Sequence, residues 1–247
     1  LEDLVAALAP GALVLAAVLQ ADSSLQRNIA KNSNNFDALA FASTGNPRLL
    51  LKTVHAAKKM RSSDVSAILR DFYRSDIWKD HSDLSYKYAG HADIVDWGRK
   101  FVETVVLAEV KQKNDEYLAA GKPTSAYFWI SRKASSRAEH ALRLLCYTGV
   151  IHVHEAGIKA TRSEVGTRYR LNLGILFAKE GAPSVTRSLA IARNLTPKRM
   201  TEFGPTHESI ATLDAAPLLD GDDGIFSLSE QMKKPSSELD LTIWQKA

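Results

Sequence analysis

Residues 124–173, TSAYFWISRKASSRAEHALRLLCYTGVIHVHEAGIKATRSEVGTRYRLNL, decide the reading of this chain. Tyr127-Phe128-Trp129-Ile130 is aromatic and β-branched and is bounded by Pro123 and a Ser/Arg/Lys cluster, which predicts a buried strand. From Ser135 to Tyr147, residues Ala138, Ala141, Leu142 and Leu145 recur at the spacing of one helical face, and Gly149 closes that helix. Ile151 and Val153 alternate with His152 and His154. Tyr169, Leu171 and Leu173 alternate in turn with Arg168, Arg170 and Asn172. Two half-buried strands around a polar loop over 156–166 follow from that alternation.

A helix followed by a basic β-hairpin is the winged-helix pattern, and the charge is concentrated there. The chain's net charge is only +4, but Lys122 to Arg170 is strongly basic while the stretch after Thr201 is acidic. Strict alternation would put His152, His154, Arg168 and Arg170 on the face opposite the apolar set, with Lys159 and Arg162 on the hairpin. The helix would carry Ser136, His140, Arg143 and Tyr147 outward. Arg132, Lys133, Arg137, His140, Arg143, Lys159, Arg162, Arg168 and Arg170 are therefore the candidates for holding duplex DNA, cations on a helix and its adjoining hairpin being able to span a groove. A basic hairpin also suits a surface that binds a protein partner, which stands as the rival expectation.

Outward from this stretch the chain is mostly helical. Asn46-Pro47 is an N-cap followed by a first-turn proline, with Leu50, Val54 and Ala57 as the buried face; Val65, Ile68, Leu69 and Phe72 repeat the stripe in the next helix. Residues 81–90 read as a connector. Ala92 to about Ala119 reads as the longest helix, with Ile94, Trp97, Phe101, Val105 and Ala108 inward. A further helix is expected from Ser184 to Leu195, a compact turn at 202–207, an acidic tail at 213–235 and a helix start at 239–246. Leu4 to Leu19 is uncharged, but Pro10-Gly11 cuts it and it is short for a membrane span, so two buried helices are expected. The fold class is mainly α with a small antiparallel sheet, divided into a helical domain over 1–80, a winged-helix domain over 81–180 and a helical extension with acidic tail over 181–247.

One cysteine, Cys146, excludes a disulfide framework and fits a reducing, cytoplasmic compartment; its position in the helix predicts a buried, inert thiol. His152 and His154 lack an acidic or thiol partner at ligand spacing, and Asp222-Asp223 between glycines is a turn, so no metal site is expected.

Gly45-Asn46-Pro47-Arg48 entering a Leu-rich helix resembles the second-sensor motif in the lid of AAA+ ATPases, particularly of the origin-recognition type. Asp96-Trp97-Gly98-Arg99, the Tyr147-Thr148-Gly149 turn and the Gly157 to Arg162 wing resemble a group of bacterial initiator-like P-loop ATPases of the STAND-like kind, often linked to phage defence. The resemblance implies an ATP- and Mg-dependent parent protein in which Arg48 senses the terminal phosphate held by a P-loop core. That core is expected upstream of Leu1, with duplex DNA, a homo-oligomer or a protein partner as the thing engaged. One feature departs from the pattern: the helix usually found before the recognition helix is short or missing between Ile130 and Ser135. Gly121-Lys122-Pro123-Thr124 is no P-loop, because Glu116 replaces the earlier glycine and Pro123 interrupts it. A stand-alone transcription regulator is a third expectation.

Overall fold

The computed structural model describes residues 22–87, 90–160, 163–179 and 183–214. Arg162, the acidic tail beyond 214 and the helices expected at Leu4–Leu19 and 239–246 lie outside the described residues.

Capping side chains start several of the helices. Asp22 caps α1 (Ser23–Lys31), which leads into α2 (Ser33–Ala42). The Asn46 side chain accepts from the Arg48 and Leu49 amides at 3.0 and 3.2 Å and opens α3 (Pro47–Ala57), which buries Leu50, Val54 and Ala57. In α4 (Ser62–Asp71) Val65 and Leu69 are buried. The chain then passes through a π-helical turn, Phe72–Asp76, straight into α5 (Ile77–Lys87). Residues 81–87 are thus helix rather than connector, because His81 and Leu84 are core positions. The expected division at 80/81 falls inside α5.

The long helix is present but not straight in register. α6 (Ala92–Lys100) continues through a second π-turn, Phe101–Val106, into α7 (Leu107–Ala119). A π-turn takes up one extra residue, so the buried stripe slips by about 100°. Val106, Leu107, Val110 and Asn114 face inward, and Ala108, expected inside, is exposed. Gly121, at φ 61°, ends the helix; the Gly121-Lys122 segment closes a helix instead of opening one, as a P-loop would.

The sheet has the order β2-β3-β1-β4. β1 (Tyr127–Ser131) and β2 (Ile151–Lys159) both run antiparallel to β3 (Val165–Leu171). β4 (Thr201–Phe203) lies parallel to β1, so the sheet is mixed rather than antiparallel, and the residues read as a compact turn supply its edge strand. Phe203 points into the core against Phe101 at 5.2 Å between ring centroids. Leu173 does not extend β3. Asn172 caps a fully buried helix there, α9 (Leu173–Ala178). α8 (Ser136–Tyr147), α10 (Val185–Arg193) and α11 (Glu208–Asp214) complete the described chain.

One apolar cluster runs from Ile29 through Val102, Phe128, Leu145 and Phe177 to Ile210, so the helical part and the sheet share a core. Two close approaches join them. At Gly174 an added Cβ would meet the Tyr73 ring, so glycine lets the first π-turn lie against α9. Thr44, in the turn before α3, accepts the Leu173 amide N–H at 2.8 Å.

Candidate nucleic-acid interface

The wing is a longer β-ribbon than its sequence suggests. β2 reaches Lys159 and β3 begins at Val165, and the loop is closed by Ala160 N–H donating to the Glu164 carbonyl at 2.8 Å. A bulge between Val153 and Glu155 breaks the alternation. Val153, expected inside beside Ile151, is 58% exposed, and Glu155 rather than His154 stands opposite Arg168. His152 and His154 therefore do not share one regular face. His154 lies against the Tyr127 ring at 4.8 Å, while His152 is half-buried opposite Arg170. Burial, then the Arg170 charge, pushes the His152 pKa down; burial, then Arg168 and Arg170, does the same for His154.

The candidate cations divide by what they touch. Arg168 is structural: its side chain is 13% exposed, donates to Glu155 at 3.2 Å and lies on Met200 Sδ at 3.5 Å. Arg143 is held by Glu139, one turn earlier, and Lys133 by Glu164 at 3.4 Å. Arg137 and His140 are half-buried on α8, and Arg170 is half-buried on β3. Arg132 and Lys159 are exposed and make no ion pair among the described residues. Arg132 N–H donates to the Val165 carbonyl at 2.9 Å, and Lys159 is the register partner of Val165 on the other side. Arg132, Val165 and Lys159 thus stand in a row across three strands, the cations two strand spacings or about 10 Å apart.

The same edge holds the start of α8. The turn from β1 runs directly into the helix, capped by Ser135 Oγ accepting the Ala138 amide at 3.2 Å, with no helix between. Arg137 occupies the first turn, where the helix dipole disfavours a cation. Trp129 is 2% exposed and lies across Gly166, its Nε1–H donating to the Ile158 carbonyl at 3.1 Å; it braces the ribbon and offers no stacking face. Cys146 is part-buried, and burial pushes its thiol pKa up to about 12.

Arg48, the expected nucleotide sensor, is exposed at the start of α3. The Asn46 side chain accepts the Arg48 and Leu49 amides, so these first-turn donors of the helix are taken. Among the described residues no group of three His, Cys, Asp or Glu side chains could hold a metal, and no helix is long and apolar enough to cross a membrane. No protein-family model, curated protein or solved structure matches the chain.

A second basic surface escaped the sequence reading. Arg70, Arg74, Lys79 and Arg99 line a groove of about 600 Å³ with Asp71 and Trp78. Its members lie on α4, the first π-turn, α5 and α6, and only the fold brings α6 alongside. The legible signal was the basic i, i+4 pair Arg70 and Arg74.

Proposed function

We propose that this chain is the lid and winged-helix portion of an initiator-like AAA+ ATPase, and that the wing end holds duplex DNA. The observation that supports it is the row Arg132–Val165–Lys159 at the edge where α8 begins, two exposed cations about two strand spacings apart beside a helix start. Arg132 and Lys159 contact backbone phosphates; Arg137 and His140 on α8 reach toward the groove; Lys133 and Arg143 join once DNA phosphate displaces Glu164 and Glu139. Arg168 holds the ribbon in shape.

Coupling to a nucleotide runs through Arg48. The turn that sets it is bonded through Thr44 to Leu173, the residue two beyond the end of β3. A phosphate drawing on Arg48 pulls on the same turn that anchors the wing strand. ATP and Mg belong to a P-loop core in the parent protein, and Arg48 supplies only charge stabilisation there. The parent acts in the cytoplasm, in phage defence by its resemblance.

A labelled duplex titrated by fluorescence anisotropy across a salt series tests the reading. Affinity falls steeply with salt, and Arg132→Ala/Lys159→Ala lowers the slope of log K against log salt by about 2. A folded chain that does not bind at low salt, or a double variant with the wild-type slope, overturns it.

A second reading, a regulatory module that docks a protein, is favoured by the internal pairing of Lys133, Arg143 and Arg168 and by the exposed Tyr147 (65%) and Val153 (58%). Pull-down by purified parent core that is lost in Tyr147→Ser/Val153→Ser, with no DNA binding, would select it.

A further inference from the structure

The groove between α4, α5 and α6 is built to meet a chain of negative charges. In a straight helix Arg70 and Lys79, nine residues apart, stand about 180° from each other. The π-turn at Phe72–Asp76 absorbs one residue and brings them to roughly 80°, so Arg70, Arg74 and Lys79 line one wall. The opposite wall carries Arg99, which is held in place three ways. It donates to Ser82 at 2.7 Å and to Glu103 at 3.3 Å, and its guanidinium lies over the Trp78 ring at 5.5 Å. A second π-turn, Phe101–Val106, begins two residues after it. Both helices that flank the groove are therefore locally rewound at its edge, a distortion that recurs at functional sites.

The charge in the groove is spent only in part, Arg99 being paired with Glu103 at 3.3 Å from one turn further along its helix. Arg70 is paired with Asp71 at 2.9 Å, the single carboxylate of the lining. Asp76 points elsewhere and is taken by Lys52 at 3.2 Å. Arg74 and Lys79 are exposed and make no ion pair among the described residues. From Arg70 to Lys79 the helix rises on the order of 13 Å, which one phosphate does not fill and a phosphodiester backbone does.

The groove is also placed beside the proposed recognition helix. α6, which carries Arg99, crosses α8 closely at Gly98, where an added Cβ would sit 3.3 Å from Leu145. His81 on α5 bonds Thr148, the C-cap of α8, at 3.1 Å. One layer of helix separates the groove from α8.

The geometry points to a second DNA-contacting surface in this groove, with Arg74, Lys79 and Arg99 holding backbone phosphates of the duplex whose other contact is the wing end. It rests on the reading of the chain as a duplex binder, but uses different residues. The occupant is polynucleotide because the cations are spread along the groove, whereas a lipid headgroup or free phosphate needs them converged on one point.

Anisotropy titrations of the full chain on a labelled 30-base-pair duplex, from about 50 to 200 mM salt, test it with Arg74→Gln/Lys79→Gln beside Arg132→Ala/Lys159→Ala. Both positions in the groove variant are exposed, and unchanged melting verifies that it folds. Its salt slope drops by about 2, so wild type loses roughly ten-fold more affinity than the variant over that range. A groove variant with the wild-type slope overturns the inference, whatever the wing variant does. A fall in the groove variant alone keeps it and removes the wing reading; a fall in the wing variant alone does the reverse. Binding to phosphatidylserine vesicles that is lost in the groove variant, with DNA affinity unchanged, also overturns it.

Discussion

The wing end and the helical groove are both basic, and in each some cations are taken by carboxylates while others stay open. On the wing and α8, Lys133, Arg143 and Arg168 each have a carboxylate within 4 Å, supplied by Glu164, Glu139 and Glu155. Arg132 and Lys159 stay open there; in the groove Asp71 and Glu103 take Arg70 and Arg99, and Arg74 and Lys79 make no ion pair among the described residues. Counting cations along a sequence measures charge. What a polyanion meets is the charge left after neighbours have taken their share, and that depends on which carboxylates the fold brings close.

The largest effect expected in this comparison is structural. Gly166 lies so close to β1 that an added Cβ would sit on the Ile130 carbonyl and the Trp129 ring, so Gly166→Ala must open the ribbon. Its cost is about 3 kcal/mol in denaturant unfolding. It should also remove the wing contribution to binding and leave the groove's; loss of both contributions in a still-folded protein would show that the two surfaces are not separable.

Arg168→Ala comes next. If Arg168 is a brace, the substitution lowers stability by roughly 1–2 kcal/mol and leaves the salt slope at its wild-type value. A reduced slope with unchanged melting would return Arg168 to the DNA surface and add to the open cations of the wing end. Thr44→Val is expected to cost about 1–2 kcal/mol, because it leaves the Leu173 amide without its acceptor. With the parent core present, it should also lessen any effect of ATP on DNA affinity. Equal ATP effects in both proteins would sever the proposed link between Arg48 and the wing.

The smallest effect concerns the joint between the two regions. His81 is fully buried, with Nε2 donating to the Val95 carbonyl at 3.1 Å and Nδ1 against Thr148 Oγ1 at 3.1 Å. Burial pushes its pKa down from 6.5, so the folded state favours the neutral ring. The unfolded chain then takes up a proton first as pH falls. The stabilisation is present above about pH 6.5 and is lost on going below it toward the folded pKa. Thermal melts from pH 7.5 to 5 should show this loss, and His81→Gln should flatten part of it, His152 and His154 contributing in the same direction. An unchanged pH profile in that variant would mean that His81 does not report on the joint.

Much of the architecture was legible from local rules. Asn46, Ser135 and Ser184 cap the helices they were expected to start, and β1 and α8 fall within one residue of their predicted limits. These features depend on a few adjacent residues, where capping and periodicity act. The errors have distinct causes. Both π-turns shift a helical face, so Ala108 left the core; a bulge shifted the strand face, so Val153 became exposed. β4 is three residues long and gains its identity only from pairing with β1.

By itself, then, the order of residues determined α3, α4, the helical run of α6 and α7, β1, α8, the basic hairpin of β2 and β3, α10 and the mainly helical character, whereas the second half of α5, β4, α9 and α11 were not legible in it. Only the tertiary structure decided which charges remain open. Ion pairs between Arg168 and Glu155, or Lys133 and Glu164, and the meeting of Arg99 with Arg74 and Lys79, join residues far apart in the chain. Periodicity reports which face of an element is buried, and i,i+4 spacing can pair charges within one helix, as with Arg143 and Glu139, but a partner on a neighbouring element is encoded by no spacing along one strand or helix.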